Sequence, residues 1–120
     1  MNNNPIGFFD SGIGGTSIWK EVVSLLPNES TIYLCDSKNS PYGVKSKEEI
    51  IQLSKKNTEI LLNLNCKQIV VACNTATTNA ISYLRENYKV PLVAKIPIVL
   101  VLVTSEAGFI AGSIPIKGTS

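Results

Sequence analysis

No histidine occurs anywhere in the 120 residues. Its absence excludes serine–histidine and cysteine–histidine relays within the chain, so a base or nucleophile here must be activated some other way. Cysteine is scarce: Cys35, Cys66 and Cys73 are odd in number and form no closely spaced ligand pair. A disulfide framework or structural zinc is therefore not expected, and three free thiols fit a reducing cytoplasm. Net charge is only +2, with lysines scattered among acids rather than striped, too slight to argue for nucleic acid, so no nucleic-acid partner is expected. Met1 is followed by Asn2-Asn3-Asn4, neither basic nor apolar, so no signal peptide is expected. No apolar run reaches the roughly 20 residues that cross a bilayer, so no membrane partner is expected either.

What the sequence does contain is a set of short apolar runs, each ending in small polar residues. Hydrophobic residues make up 44% of the chain, and a chain of this size buries roughly two-thirds of its unfolded surface, enough for one core. Residues 67–72 read as a short strand buried on both faces, because Ile69, Val70 and Val71 form a continuous rather than alternating apolar run. The run stops at Cys73-Asn74-Thr75-Ala76-Thr77-Thr78. Asn74, Thr75 and Thr77 offer caps for a helix reaching residue 88. Cys73 then lies at the carboxyl end of a parallel strand, where open α/β sheets present chemistry. The positive end of the next helix, with its free N–H groups, favours thiolate over thiol. The plainer alternative is a cysteine that simply packs, because free cysteine is among the most buried residue types.

The pattern repeats twice. Residues 5–9 form a strand ending in Asp10-Ser11-Gly12-Ile13-Gly14-Gly15-Thr16-Ser17, with a helix expected over 15–26 and Pro27 just past it. A carboxylate and a hydroxyl sit at that strand tip, and the glycines allow a ligand close to the backbone. Ser17 stands where the dinucleotide fingerprint needs its third glycine, and no Gly-Lys-Ser/Thr follows to make a P-loop. Asp10 and Ser11 can also be read as a helix cap alone. Residues 31–35 form the third strand, followed by Asp36-Ser37-Lys38-Asn39-Ser40-Pro41-Tyr42-Gly43, where Pro41 and Gly43 fix the backbone around one ring. Tyr42 either covers the core edge or gives a hydroxyl donor to a site rim. Ser46 and Glu49 form a capping box for a helix over 46–63 that packs through Ile50, Leu53, Ile60, Leu61 and Leu64. Cys35 and Cys66 read as structural. With right-handed crossovers the three strand ends share one sheet edge, and a small polar molecule fits among Asp10-Ser11, Tyr42-Gly43 and Cys73-Asn74-Thr75. The expected class is α/β, a mainly parallel sheet with helices on both faces.

Three blocks carry a family resemblance: Ile6-Gly7-Phe8-Phe9-Asp10-Ser11-Gly12-Ile13-Gly14-Gly15, Pro41-Tyr42-Gly43 with Ser46-Lys47-Glu48-Glu49, and Val70-Val71-Ala72-Cys73-Asn74-Thr75-Ala76. In order and interval they resemble the amino-terminal half of bacterial glutamate racemases, within the wider aspartate/glutamate racemase superfamily. The combination of Asp-Ser-Gly-x-Gly-Gly with Cys-Asn-Thr-Ala is specific, and the first of these fits the glutamate branch better. The resemblance divides the chain into a racemase-like lobe over 1–93 and a divergent apolar tail over 94–120, which is expected to add an edge strand, Lys95 and Pro97 arguing for that position.

The resemblance implies an isomerase that interconverts L- and D-glutamate without cofactor or metal and supplies D-glutamate for peptidoglycan, and hence for cell-wall biogenesis and cell shape, in the cytoplasm. Two facing cysteines exchange the Cα proton in that family. Matched position by position, Cys73 resembles one of them, Asp10 the carboxylate that assists proton handling, and Ser11, Tyr42, Gly43, Asn74 and Thr75 resemble substrate-binding positions, with Asp10 again among them. The opposing cysteine belongs to a Cys-Thr-His segment of a second lobe, for which these 120 residues have no counterpart. The likeness also stops after Val93, as a truncated or frame-shifted reading frame would give. The chain is therefore expected to be inactive alone. Three alternatives stand beside this one: a non-catalytic amino-acid-binding or interaction module, an aspartate racemase, and an oligomer in which two copies bring two Cys73 residues together.

Overall fold

The structure, a computed structural model, describes residues 3–94, 98–105 and 108–115, with side chains over 3–94. Strand β1 (Ile6–Asp10) leads to helix α1 (Thr16–Leu25), and β2 (Thr31–Cys35) to two 3₁₀ turns (Ser37–Asn39 and Tyr42–Val44) and helix α2 (Lys47–Asn63). Strand β3 (Gln68–Val71), helix α3 (Asn74–Asn87) and β4 (Leu92–Ala94) follow. These four strands form one sheet in the order β2-β1-β3-β4, and every pairing is parallel. The α/β class expected from the sequence is what the structure has.

The continuous apolar runs are explained by burial on both faces. Ile6, Phe8, Val70 and Val93 point to one side and pack with Ile18 and Val22 of α1. Phe9, Ile69, Val71 and Leu92 point to the other, with Ile50 and Leu61 of α2 and Ala76, Ala80 and Leu84 of α3. Each large apolar side chain buried this way contributes about 1.5–3 kcal/mol. The stripe expected on α2 is only partly the one it buries. Ile50 and Leu61 are inside, but Ser54, Asn57 and Thr58 complete the face, and Leu64 is 48% exposed. Thr58 donates to the Ser54 carbonyl oxygen at 2.8 Å, so the helix backbone supplies its hydrogen bond.

Both ends of α2 follow from local sequence. Ser46 Oγ accepts the Glu49 N–H at 3.2 Å, and the two side chains meet at 3.2 Å, which makes the expected capping box. At the other end Asn65 adopts a φ of 64°, the left-handed turn asparagine tolerates. There Asn65 N–H bonds the Leu62 carbonyl and Cys66 N–H the Leu61 carbonyl, at 2.9 and 3.1 Å, in the two-bond pattern that closes helices. Replacing Ser46 by alanine is expected to lower stability by about 1 kcal/mol, read as a lower urea midpoint with unchanged slope.

Strands β5 (Ile98–Ser105) and β6 (Gly108–Pro115) pair antiparallel as a separate two-stranded sheet, in register from Ile98 opposite Pro115 to Ser105 opposite Gly108. Lys95 and Pro97, which carried the edge-strand expectation, lie outside the described residues. Among the described residues no helix is long and apolar enough to cross a membrane.

Candidate active site

The chain runs from β1 to its neighbour on one side, β2, then crosses back to β3 on the other side of β1. The winding therefore reverses between β1 and β3, and an open parallel sheet leaves a crevice at the carboxyl ends of two such strands. The segments entering it are Asp10-Ser11 and Ala72-Cys73. Across it Ser11 Oγ lies 3.7 Å from Cys73 Sγ, so topology brings together residues 62 positions apart.

Cys73 is extended (φ −108°, ψ 124°) and is itself the N-cap of α3, its Sγ accepting the Ala76 N–H at 3.5 Å. Asn74, Thr75 and Thr77, expected as caps, instead fall within the first turns of the helix. A sulfur in the cap position needs no other cap residue, and it meets the partial positive charge of the helix end directly. The thiol is 5% exposed and shares an apolar cluster with Tyr42, Ala76 and Ala80. Asn74 is exposed and Thr75 half-buried beside it.

Asp10 is buried and fully engaged. Its Oδ1 accepts the Ser11 N–H at 2.7 Å, and its Oδ2 accepts the Gly15 N–H at 2.6 Å and the Tyr33 hydroxyl at 3.2 Å. It thus ties down the glycine loop and the start of α1, which has no side-chain cap of its own, while turning Ser11 toward the thiol. The cap reading and the site reading of Asp10 are compatible. Tyr33 also donates to the Gly12 carbonyl at 3.3 Å, and its ring stands between Phe8 and Trp19. Sequence reasoning missed Tyr33. Its signal was position, an aromatic two residues before the end of the strand beside β1.

Tyr42 is 1% exposed. Its hydroxyl donates to Asp36 Oδ2 and accepts from Asn57 Nδ2 at 2.8 Å, so the rim donor considered from the sequence is turned inward. Gly43 is exposed with open space beside its Cα. Cys66 is buried and Cys35 half-buried, both free.

Several protons are held by burial. Burial, and next the charge of Asp10, push the Tyr33 hydroxyl well above the usual tyrosine range. Burial, and next the bond to Asp36, do the same at Tyr42, with Asn57 opposing and the charges of Asp36 and Cys73 adding. Burial also raises the Cys66 thiol, and burial with Glu59 raises Tyr88. In each case the unfolded chain loses its proton first, so the stabilisation is intact below the unfolded pKa and is lost as pH climbs through the folded one. Melting temperature is therefore expected to fall above about pH 8.5 and more steeply above about pH 10, with Tyr33→Phe flattening the upper part of the profile. A flat profile through that range contradicts these assignments.

No family model matches the chain. Among curated proteins it is 53% identical over 93 residues to a glutamate racemase of Clostridium botulinum strain Kyoto / Type A2, covering 78% of this chain and 36% of that protein. To the glutamate racemase of strain Alaska E43 / Type E3 it is 55% identical over 92 residues, covering 76% and 36%. Two solved structures are similar: glutamate racemase from Thermus thermophilus with beta-chloro-D-alanine, and that of Francisella tularensis subsp. tularensis SCHU S4 with D-glutamate. Both have a TM-score of 0.74 and 39% identity, covering 77% and 78% of this chain and 36% of theirs. The chain thus spans 36% of the length of the curated relatives it matches.

Proposed function

We propose, from the premise that the chain is a homologue of glutamate racemases over 93 of its residues, an isomerase family, that it forms one half of a racemisation site for glutamate. Cys73 is the acid and base on one face of the substrate Cα. The observation that carries this is the meeting of Ser11 and Cys73, 3.7 Å apart, at the sheet's switch point. As thiolate, Cys73 takes the α-proton and becomes thiol, leaving a carbanion beside the carboxylate; returning the proton on the same face restores the starting isomer. Ser11, Asn74 and Thr75, with the turn through Tyr42 and Gly43, hold the amino acid, and Asp10 assists the proton handling by accepting the Ser11 backbone N–H and so orienting Ser11 toward the sulfur. Fixed N–H dipoles at the start of α3 stabilise the charge that develops. No cofactor or metal enters this chemistry. D-glutamate supply for peptidoglycan in the cytoplasm is the role this reading carries.

Inversion needs a second acid on the opposite face. No cysteine follows Cys73 in these 120 residues, so the second cysteine of that chemistry has no counterpart among them. Ile13 and Val44, 77% and 81% exposed in the loops at this edge, support an edge covered by another protein element. The purified 120-residue chain incubated with L-glutamate is therefore expected to give no D-glutamate above the enzyme-free rate, followed by circular dichroism. Turnover like that of a full-length racemase rejects the half-site. The burial of Cys73 favours one second reading, an amino-acid-binding module without chemistry, which predicts thermal stabilisation by glutamate with no α-proton exchange.

A further inference from the structure

The polar face of α2 is not used by the site as described, yet it reaches it. Asn57 is 2% exposed and spends its amide on Tyr42 Oη at 2.8 Å. The Tyr42 hydroxyl donates a hydrogen bond to the Asp36 carboxylate, which also accepts one from Asn39 Nδ2 at 2.9 Å. The Asp36 backbone N–H in turn bonds the Asp10 carbonyl at 2.8 Å. One hydrogen-bonded path therefore runs from the middle of α2, through the ring that shares a cluster with Cys73, to the tip of β1.

The geometry points to Asn57 and Asp36 as positioning residues for this site: by holding both sides of the Tyr42 hydroxyl, they fix the turn around Gly43 and the wall against the Cys73 sulfur. Neither touches the thiol, and each acts through Tyr42. The polarity is set, since an amide N–H can only donate and a carboxylate can only accept. The hydroxyl hydrogen must face Asp36 and its oxygen Asn57. Removing either partner leaves a buried polar group unpaired, which costs more than the bond itself contributed. The effect is expected at the turn through Asp36 and Tyr42, which lies outside the α-helices and strands.

This inference rests on the racemase-like reading for its purpose, but its test does not. Cys73 alkylation by iodoacetamide, without glutamate, is measured by peptide mass spectrometry across about pH 6–10, the range in which thiols titrate. The buried Cys66 in the same molecules reports global opening. Tyr42→Phe and Asn57→Leu are each expected to raise the Cys73 rate about tenfold, the size of one lost hydrogen bond, with Cys66 unchanged. The double variant should match the singles, because both act through one hydroxyl. A Cys73 rate unchanged in Asn57→Leu overturns the inference. So does a parallel rise at Cys66, which would make the network a fold stabiliser only. Absence of α-proton exchange in the wild-type chain removes the racemase reading and leaves these rates to be judged alone.

Discussion

Gly15→Ala is expected to lower stability by about 3 kcal/mol, the upper end of overpacking penalties. Backbone freedom is not the reason, since the φ of Gly15 is −83°, a value any residue adopts. A Cβ here would lie 2.6 Å from Ala72 Cβ, 2.8 Å from the Tyr33 hydroxyl and 2.9 Å from Asp10 Oδ2. The first follows directly on central strand β3, its N–H bonded to the Phe9 carbonyl at 2.9 Å, and cannot retreat. The other two are the bond that orients Asp10, so the substitution forces either the α1 start or the carboxylate out of place. Gly12→Ala and Gly43→Ala are internal controls: neither Cβ meets anything within 4 Å, and both should stay near wild type. Guanidinium unfolding of the three variants decides it, and Gly15→Ala as stable as Gly12→Ala would contradict the packing described.

Cys73→Ser is expected to abolish exchange of the glutamate α-proton in deuterated water, followed by proton NMR. The serine hydroxyl, far less acidic than a thiol, keeps the cap position and its hydrogen bond to Ala76, so the fold survives while the base is lost. General-base contributions run to about 10²–10⁴-fold, enough to bring the rate to background. Ser11→Ala should fall between the two, because it removes the hydroxyl facing the sulfur and leaves the sulfur itself. Exchange in Cys73→Ser equal to wild type would show that another group takes the proton.

Much of this architecture was legible because burial writes directly into sequence. Continuous apolar runs gave the strands, Ser46 and Glu49 the start of α2, and the polar residues after each run the loops that gather at one edge. Asp10, Ser11 and Cys73 were singled out as small polar groups at parallel strand tips, and the structure sets Ser11 Oγ 3.7 Å from Cys73 Sγ. What escaped was polar burial. Asn57 and Ser54 were assigned no role, because nothing local shows that these polar positions of α2 are buried, Asn57 with its amide on the Tyr42 hydroxyl. Tyr33 drew no notice in the sequence; the register sets it opposite Phe8, and from there its hydroxyl reaches Asp10 at 3.2 Å. The Cys73 cap was missed because serine, threonine and asparagine are the usual caps, and the neighbours offered three of them. The Asn57 and Tyr33 misses depend on contacts between segments apart in the chain, whereas the cap is local.

Glutamate protection of the three thiols bears most directly on whether an amino acid meets the sulfur at the switch point. The chain is alkylated with and without L-glutamate, and each cysteine is quantified separately. The account predicts slower modification at Cys73, with Cys35 and Cys66 unaffected; equal rates at Cys73 under saturating glutamate would contradict it.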